Sequence, residues 1–62
     1  MSEKREIIFE FHRIGAVVKV AAIDTATGVE VSIVGDPAAG MAALQRLAKR
    51  KLDYVLAKDN RH

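Results

Sequence analysis

The amino-acid sequence predicts a small α+β domain in which a three-stranded antiparallel sheet is followed by one C-terminal helix (β-β-β-α). The chain has 62 residues, of which 50% are hydrophobic, and a net charge of +2, which is typical of one folded domain and leaves no room for a second. Before Gly35-Asp36-Pro37 the apolar residues recur with a period close to two, and β-branched side chains dominate. After this point the period becomes helical, and Ala, Leu, Lys and Arg dominate.

Three strands are predicted from the alternation of apolar and polar residues. They cover residues 6–13, 16–23 and 29–34. Successive side chains of a strand point to opposite faces, so Phe9 and the apolar residues two positions away lie on one face. We expect this face to pack against the helix.

The second connection is predicted to be a tight hairpin. Asp24 can accept backbone N–H groups within the turn, and Gly28 can adopt a positive φ without steric cost. A loop of residues 25–28 sets Ala22 opposite Val31 and collects the apolar side chains of both strands on one face.

The first connection is predicted to be a two-residue loop at Ile14 and Gly15, which sets Glu10 opposite Lys19. This is poor turn chemistry, because type I′ and II′ turns need a positive φ at the first central residue and a β-branched residue resists it. Ile14 and Gly15 are therefore a candidate hinge. Through it, two chains could exchange a strand or helix and form an intertwined or domain-swapped homodimer.

One helix is predicted over residues 37–58. Asp36 is a favourable N-cap, and the following proline suits the first helical position. At 100° per residue, Leu44, Ala48 and Val55 form the centre of the apolar stripe. The apolar arc spans more than half of the circumference, which is more than one three-stranded sheet can bury.

Size and surface composition predict a homodimer. A chain of about 60 residues buries only about 60% of its unfolded surface, and there is no cysteine to form a disulfide. The second face of the sheet is also more apolar than a solvated face usually is, and such patches commonly mark interfaces. The candidate interface residues are Ile8, Val17, Ile23, Val34, Leu47 and Tyr54.

Enzymatic chemistry is not predicted. Glu10 and His12 share a strand face and could act as a base and its orienting carboxylate, but a surface pair between Glu10 and Lys19 is the simpler interpretation. Two histidines, no cysteine and no ligand spacing predict neither a metal site nor a cofactor, unless a dimer joins two copies of His12. Gly35 and Gly40 do not match phosphate-binding patterns, and Gly40 is interpreted as close packing.

The helix is the most basic part of the chain. From residue 38 onward the net charge is +4, whereas residues 1–37 carry −2. The cations are candidates for contact with nucleic acid or a partner: Arg46, Lys49, Arg50, Lys51 and Lys58. They could contact phosphates, form an ordinary solvated face, or pair with the acidic half of a second subunit. No aromatic residues are interleaved with them to stack on bases.

Three segments resemble a family of short, uncharacterised bacterial proteins. They are EIIFEFHRIG at 6–15, IDTATGVEV at 23–31 and RKLDYVLAK at 50–58. The resemblance covers most of the chain and implies a strand, hairpin and helix arrangement, and it supplies neither an activity nor a functional residue. From its length, the chain is predicted to be one domain of residues 1–62.

The sequence thus favours a small non-enzymatic, dimeric protein-interaction module, with nucleic-acid binding through the basic helix as the alternative. An enzyme or small-ligand protein is a third hypothesis. No membrane span of about 18 apolar residues and no signal-peptide pattern is visible, so we expect a cytoplasmic protein.

Overall fold

The computed structural model describes residues 6–59 and has the predicted α+β architecture. The elements in chain order are β1 (Ile7–Ile14), β2 (Val17–Asp24), β3 (Glu30–Gly35), a single 3-10 turn (Pro37–Ala39) and α1 (Met41–Asp59). The sheet is antiparallel, with the strand order β1-β2-β3. β2 is therefore the central strand, and β1 and β3 are the two edges.

The hairpin between β2 and β3 has the predicted register. Ala22 lies opposite Val31. The Asp24 carboxylate accepts the backbone N–H of Thr27 at 3.1 Å and its hydroxyl at 2.7 Å. Gly28 has a φ of 80°, which a residue with a Cβ rarely adopts. The turn chemistry that predicted this hairpin is therefore the chemistry that forms it.

The predicted turn at Ile14 and Gly15 is wrong by one residue. Ile14 pairs with Val17, so the two-residue loop consists of Gly15 and Ala16. Gly15 has a φ of 59°, and no residue other than glycine has a positive φ among residues 6–59. This pattern fits a type II′ turn, which takes glycine at the first central position and matches the twist of a hairpin.

The new register moves the cross-strand partners by two positions. Glu10 lies opposite Ala21 instead of Lys19, and His12 lies opposite Lys19. A shift of two residues leaves every side chain on its predicted face, since the strand repeat is two. Strain at an Ile-Gly turn was the reason to expect a hinge, and this strain is absent from the hairpin described here.

The α-helix begins later than predicted. The Asp36 carboxylate accepts the Ala38 N–H at 2.9 Å, as expected of a cap, but the chain completes only one 3-10 turn. Gly40, with φ 92° and ψ 145°, interrupts the helical path, and its carbonyl accepts the first α-helical bond from Leu44 N at 3.1 Å. A Cβ on Gly40 would meet nothing within 4 Å. Gly40 therefore serves the backbone conformation, and its interpretation as close packing is wrong.

The core lies between β2 and α1. Its buried apolar residues are Val18, Val20, Ala22, Leu44, Ala48 and Leu52. Phe9 and its neighbours on the same face pack around this cluster, as predicted. The buried residues of the helix stripe are Leu44, Ala48 and Leu52, whereas Val55 is only half-buried. The helix is therefore rotated slightly from its predicted orientation.

Gly35 is the glycine that serves close packing. A Cβ built at Gly35 would overlap the side chain of Leu44. The absence of a side chain lets the start of α1 approach the end of β3. The helix accordingly packs against β2 and β3 and makes little contact with β1.

Candidate functional site

One face of the sheet has no helix packed on it, and we call it the open face. Its residues are Ile8, Glu10, His12 and Ile14 from β1, Val17, Lys19, Ala21 and Ile23 from β2, and Glu30, Ser32 and Val34 from β3. Within residues 6–59, no other element of the chain covers these side chains.

The apolar residues of the open face lie mainly at its two ends. Ile8 pairs with Ile23 at one end, and Ile14 pairs with Val17 at the other. Ile8 is 49% exposed, Ile14 54% and Val34 63%, whereas Val17 and Ile23 are half-buried. The open face therefore carries two small exposed apolar patches, and exposed apolar patches commonly mark interaction surfaces.

Three charged or titratable residues of the open face, Glu10, His12 and Lys19, lie between its apolar ends, whereas Glu30 lies beside Ile23 at one end. Glu10 occupies one central row, opposite the small side chain of Ala21. His12 and Lys19 face each other in the next row. The acidic and basic groups thus occupy separate but neighbouring rows.

The six candidate interface residues do not form one surface. Four of them lie on the open face, whereas Leu47 and Tyr54 lie on α1, in the other layer of the molecule. Leu47 is 48% exposed and Tyr54 63%. Lys51, one turn after Leu47, donates from Nζ to the Ser32 carbonyl at 2.9 Å, which places this flank of the helix beside β3.

Several helix cations have local partners. Lys49 Nζ lies 2.9 Å from an Asp53 carboxylate oxygen, one helical turn away. Lys58 Nζ lies 5.7 Å from the centre of the Tyr54 ring. Both contacts are at the surface, where such pairs contribute little to stability.

Arg46 and Arg50 are the two cations of α1 without a hydrogen bond, ion pair or ring contact among residues 6–59. Both are exposed on the surface of the helix. Arg46 and Arg50 can therefore contact an anion without losing an existing partner. Lys49 would lose only its weak surface pair with Asp53.

A groove between β1 and α1 was not predicted from the sequence. Because α1 lies over β2 and β3, the half-buried side chains of Ile7, Phe9 and Phe11 form a floor that the helix does not cover. Two depressions follow this floor, with volumes of about 440 Å³ at Ile7 and Phe9 and about 290 Å³ at Phe11.

The rim of this groove is basic. Arg46 and Lys49 line the first depression, and Arg13 lines the second. We call this floor and rim the β1 groove. Its position follows from the close approach of α1 to Gly35, which moves the helix away from β1. The one sequence feature that indicated this groove was Gly35, a glycine on the packed face of β3.

The described residues show no arrangement typical of a metal site or a membrane span. Among residues 6–59, no three side chains of His, Cys, Asp or Glu lie close enough to bind one ion. In the same part of the chain, no helix is long and apolar enough to cross a bilayer. Glu10 and His12 are exposed on the open face.

Comparisons with known proteins identify a family without an activity. No curated protein and no solved structure matches the chain. One family model, described as a domain of unknown function (DUF6898), matches residues 4–59, which is nearly the whole sequence. The chain therefore belongs to this DUF6898 family of domains of unknown function.

Proposed function

We propose that the protein is a small non-enzymatic interaction module that forms a homodimer through its open face. The observation that carries this proposal is the exposure of isoleucine and valine side chains on a sheet face that no element of residues 6–59 covers. A domain of this size gains little folding stability from one core. Burial of a second apolar face in a dimer therefore adds a large fraction to that stability.

The open face is self-complementary. We consider a second copy placed face to face and turned end for end about an axis perpendicular to the strands. Ile8 then meets Ile14 of the second copy, and Ile23 meets Val17, because these residues are equally far from the centre of their strands. Each apolar end is covered by the opposite apolar end, and a two-fold axis makes both contacts identical.

The charges also agree with this arrangement. The same rotation sets Glu10 against His12 of the second copy, and Lys19 of that copy lies beside it. The other face-to-face two-fold arrangement, with its axis parallel to the strands, would instead set β1 over β3, so that Lys19 meets Lys19 and Ile8 meets Glu30. Like charges in register oppose association, so the distribution of charge selects the end-for-end dimer.

The size of the face sets the expected affinity. Three strands about 4.8 Å apart and about 25 Å long cover roughly 350 Å² per copy. This is below the roughly 800 Å² per partner of a standard stable interface. We therefore expect a dissociation constant in the range of about 10–100 μM, so dimers should predominate only at high protein concentration.

Replacing Ile8 by lysine tests this interface. We expect Ile8→Lys to weaken the dimer at least about tenfold, because a charge would be buried against Ile14 of the second copy. Leu47→Lys is the matched control, since Leu47 is 48% exposed and Ile8 49%, but on opposite layers. The measurement is sedimentation equilibrium between about 10 and 500 μM, with circular dichroism to verify folding.

The outcomes separate the possible interfaces. A wild-type protein that stays monomeric at several hundred micromolar would refute the dimer. Dissociation by Leu47→Lys but not by Ile8→Lys would assign the interface to the helix flank and overturn the open-face proposal.

Nucleic-acid binding through α1 is the second candidate function. It is favoured by Arg46 and Arg50, which have no partner among residues 6–59 and are exposed on the surface of the helix. Phosphate contacts by such cations release counterions, so affinity should fall steeply with salt.

The corresponding prediction is that both arginines contribute to the salt dependence of nucleic-acid affinity. If the helix binds DNA or RNA, Arg46→Gln with Arg50→Gln should reduce the slope of log affinity against log salt by about two. Lys58→Gln is the control, because Lys58 lies over the Tyr54 ring near the end of the helix. Retention on DNA and RNA columns that is absent, or that ignores the double substitution, would remove this function.

A further inference from the structure

We propose that the β1 groove binds an extended acidic peptide, which joins the sheet as a fourth strand beside β1. This inference rests on the proposed function, since it names a partner class for the interaction module. It uses a different surface from the dimer, because the groove opens on the helix side of the sheet and the open face lies behind it.

The backbone of β1 offers a free edge. β1 has β2 on one side, and no strand within the described residues 6–59 lies on the other. Thr25 N donates to the Glu6 carbonyl at 3.2 Å, which makes Glu6 and Thr25 a hydrogen-bonded pair between the two chain segments. Because hydrogen-bonded pairs alternate in antiparallel strands, the even-numbered residues of β1 bond to β2, and Phe9 and Phe11 direct their N–H and C=O groups outward.

The same two residues provide the floor of the groove. Their side chains point to the helix side of the sheet and are only half-buried. A peptide that pairs with the outward groups of Phe9 and Phe11 places alternate side chains next to their rings. Backbone bonds and an apolar floor at the same residues are the two requirements of strand addition.

The charge of the rim selects an acidic partner. Arg13 is held in place by a bond from Nε to the Gly15 carbonyl at 2.8 Å. Arg46 has no partner among residues 6–59, and Lys49 has only an exposed pair with Asp53. All three line the depressions of the groove, and no acidic residue of the range 6–59 is among the groups that line them.

Other occupants fit less well. A second copy pairing through β1 would bring an identical set of three cations to the same place. A nucleic acid would satisfy the cations, but it would leave the Phe9 and Phe11 floor and the outward backbone groups without matching partners. An extended peptide with alternating apolar and acidic side chains matches the cations, the apolar floor and the outward backbone groups. At about 3.4 Å per residue, the stretch from Ile7 to Arg13 accommodates about six peptide residues.

The probe is a fluorescein-labelled nine-residue peptide in which valine alternates with glutamate. We expect saturable binding in fluorescence anisotropy, with a dissociation constant in the micromolar range typical of small peptide interfaces. Three control peptides carry lysine in place of glutamate, serine in place of valine, or one central proline. Each should bind at least about tenfold more weakly, because each removes the charge, the apolar contact or the backbone donor.

A pair of arginine variants tests the location. Arg46→Glu should weaken binding of the valine-glutamate peptide at least about tenfold. Arg50→Glu, on the same helix and with the same change of charge, should weaken it less than about threefold, because Arg50 does not line the groove. Equal losses in both variants would show attraction to the whole basic helix and would overturn the groove assignment.

Hydrogen exchange of individual amides tests the strand geometry. In the free protein, the Phe9 and Phe11 amides should exchange fast, while those of Glu10 and His12 are protected by β2. Saturating peptide should slow Phe9 and Phe11 at least about tenfold. Binding without this protection would indicate a helix or a disordered peptide in the groove. Protection that rises with protein concentration alone would indicate β1 pairing with a second copy. Either result overturns the proposal.

The monomeric variant separates this proposal from the dimer. Ile8→Lys changes the open face and leaves the groove side of β1 intact. If the variant is monomeric and still binds the peptide, both proposals stand. If it is monomeric and the wild type also fails to bind, the groove proposal fails alone. If the wild type binds peptide but never dimerises, the dimer fails alone.

Discussion

Leu52→Ala should leave a large fraction of the protein unfolded at 25 °C. Leu52 is fully buried at the centre of the contact between α1 and the sheet. Truncation of such a leucine costs about 2–5 kcal/mol, because it removes buried apolar surface and leaves a cavity. A single core in a domain of fewer than about 70 residues supplies only about 3–5 kcal/mol. The loss is therefore comparable to the whole stability of one copy.

Leu47→Ala is the matched control for this change. Leu47 is on the same helix and loses the same atoms, but it is 48% exposed, and we expect a cost below about 1 kcal/mol. Urea denaturation followed by circular dichroism should be done at about 5 μM, since self-association adds to apparent stability at higher concentration. Equal effects of the two substitutions would mean that α1 does not pack through its Leu44, Ala48 and Leu52 stripe.

The sequence predicted the sheet well because local chemistry and hydrophobic pattern agree there. In the second hairpin, Asp24 and Gly28 suit the turn, and any one-residue slip would move apolar side chains to the wrong face. Both signals select the pairing of Ala22 with Val31, which the structure confirms. The family model, which covers nearly the whole chain, adds no activity to this agreement.

The first hairpin shows where pattern alone is insufficient. The predicted and observed registers differ by two residues, so both keep Phe9 and Phe11 on the packed face. Burial cannot distinguish them. Turn stereochemistry can, because Gly15 suits the first central position of a type II′ turn and Ile14 does not. A turn placed by this rule would have removed the reason to expect a strained hinge.

The prediction of the helix was correct along the chain apart from its first turn, but it did not give the position of the helix across the sheet. Its own periodicity shows which residues face inward, and it does not show which strands lie beneath them. That choice depends on Gly35, which lets Leu44 approach β3. The β1 groove follows from this offset, so it could not be predicted from the apolar stripe. The basic residues were all predicted to be exposed candidates, but only the structure distinguishes Arg46 at the groove from Arg50 outside it.

Asp24→Ala should destabilise the domain by about 2–3 kcal/mol. Asp24 is only 2% exposed, and its carboxylate accepts both the backbone N–H and the hydroxyl of Thr27. Hydrogen bonds to a charged group contribute about 1.5–3 kcal/mol, and a donor left unsatisfied adds a desolvation cost. Removing the carboxylate should loosen the turn between β2 and β3 and with it the edge strand that α1 packs against.

Two further substitutions show whether the hydrogen bonds or the charge is responsible. Asp24→Asn retains an acceptor oxygen of the same reach and should cost about half as much as Asp24→Ala. Asp36→Ala removes an exposed carboxylate that accepts one backbone N–H, from Ala38 at 2.9 Å, and should cost about 0.5–1 kcal/mol. Thermal and urea unfolding of the three variants measure how much stability each substitution costs and so give their order. If Asp36→Ala is as costly as Asp24→Ala, burial of Asp24 in the turn does not set the stability of this hairpin.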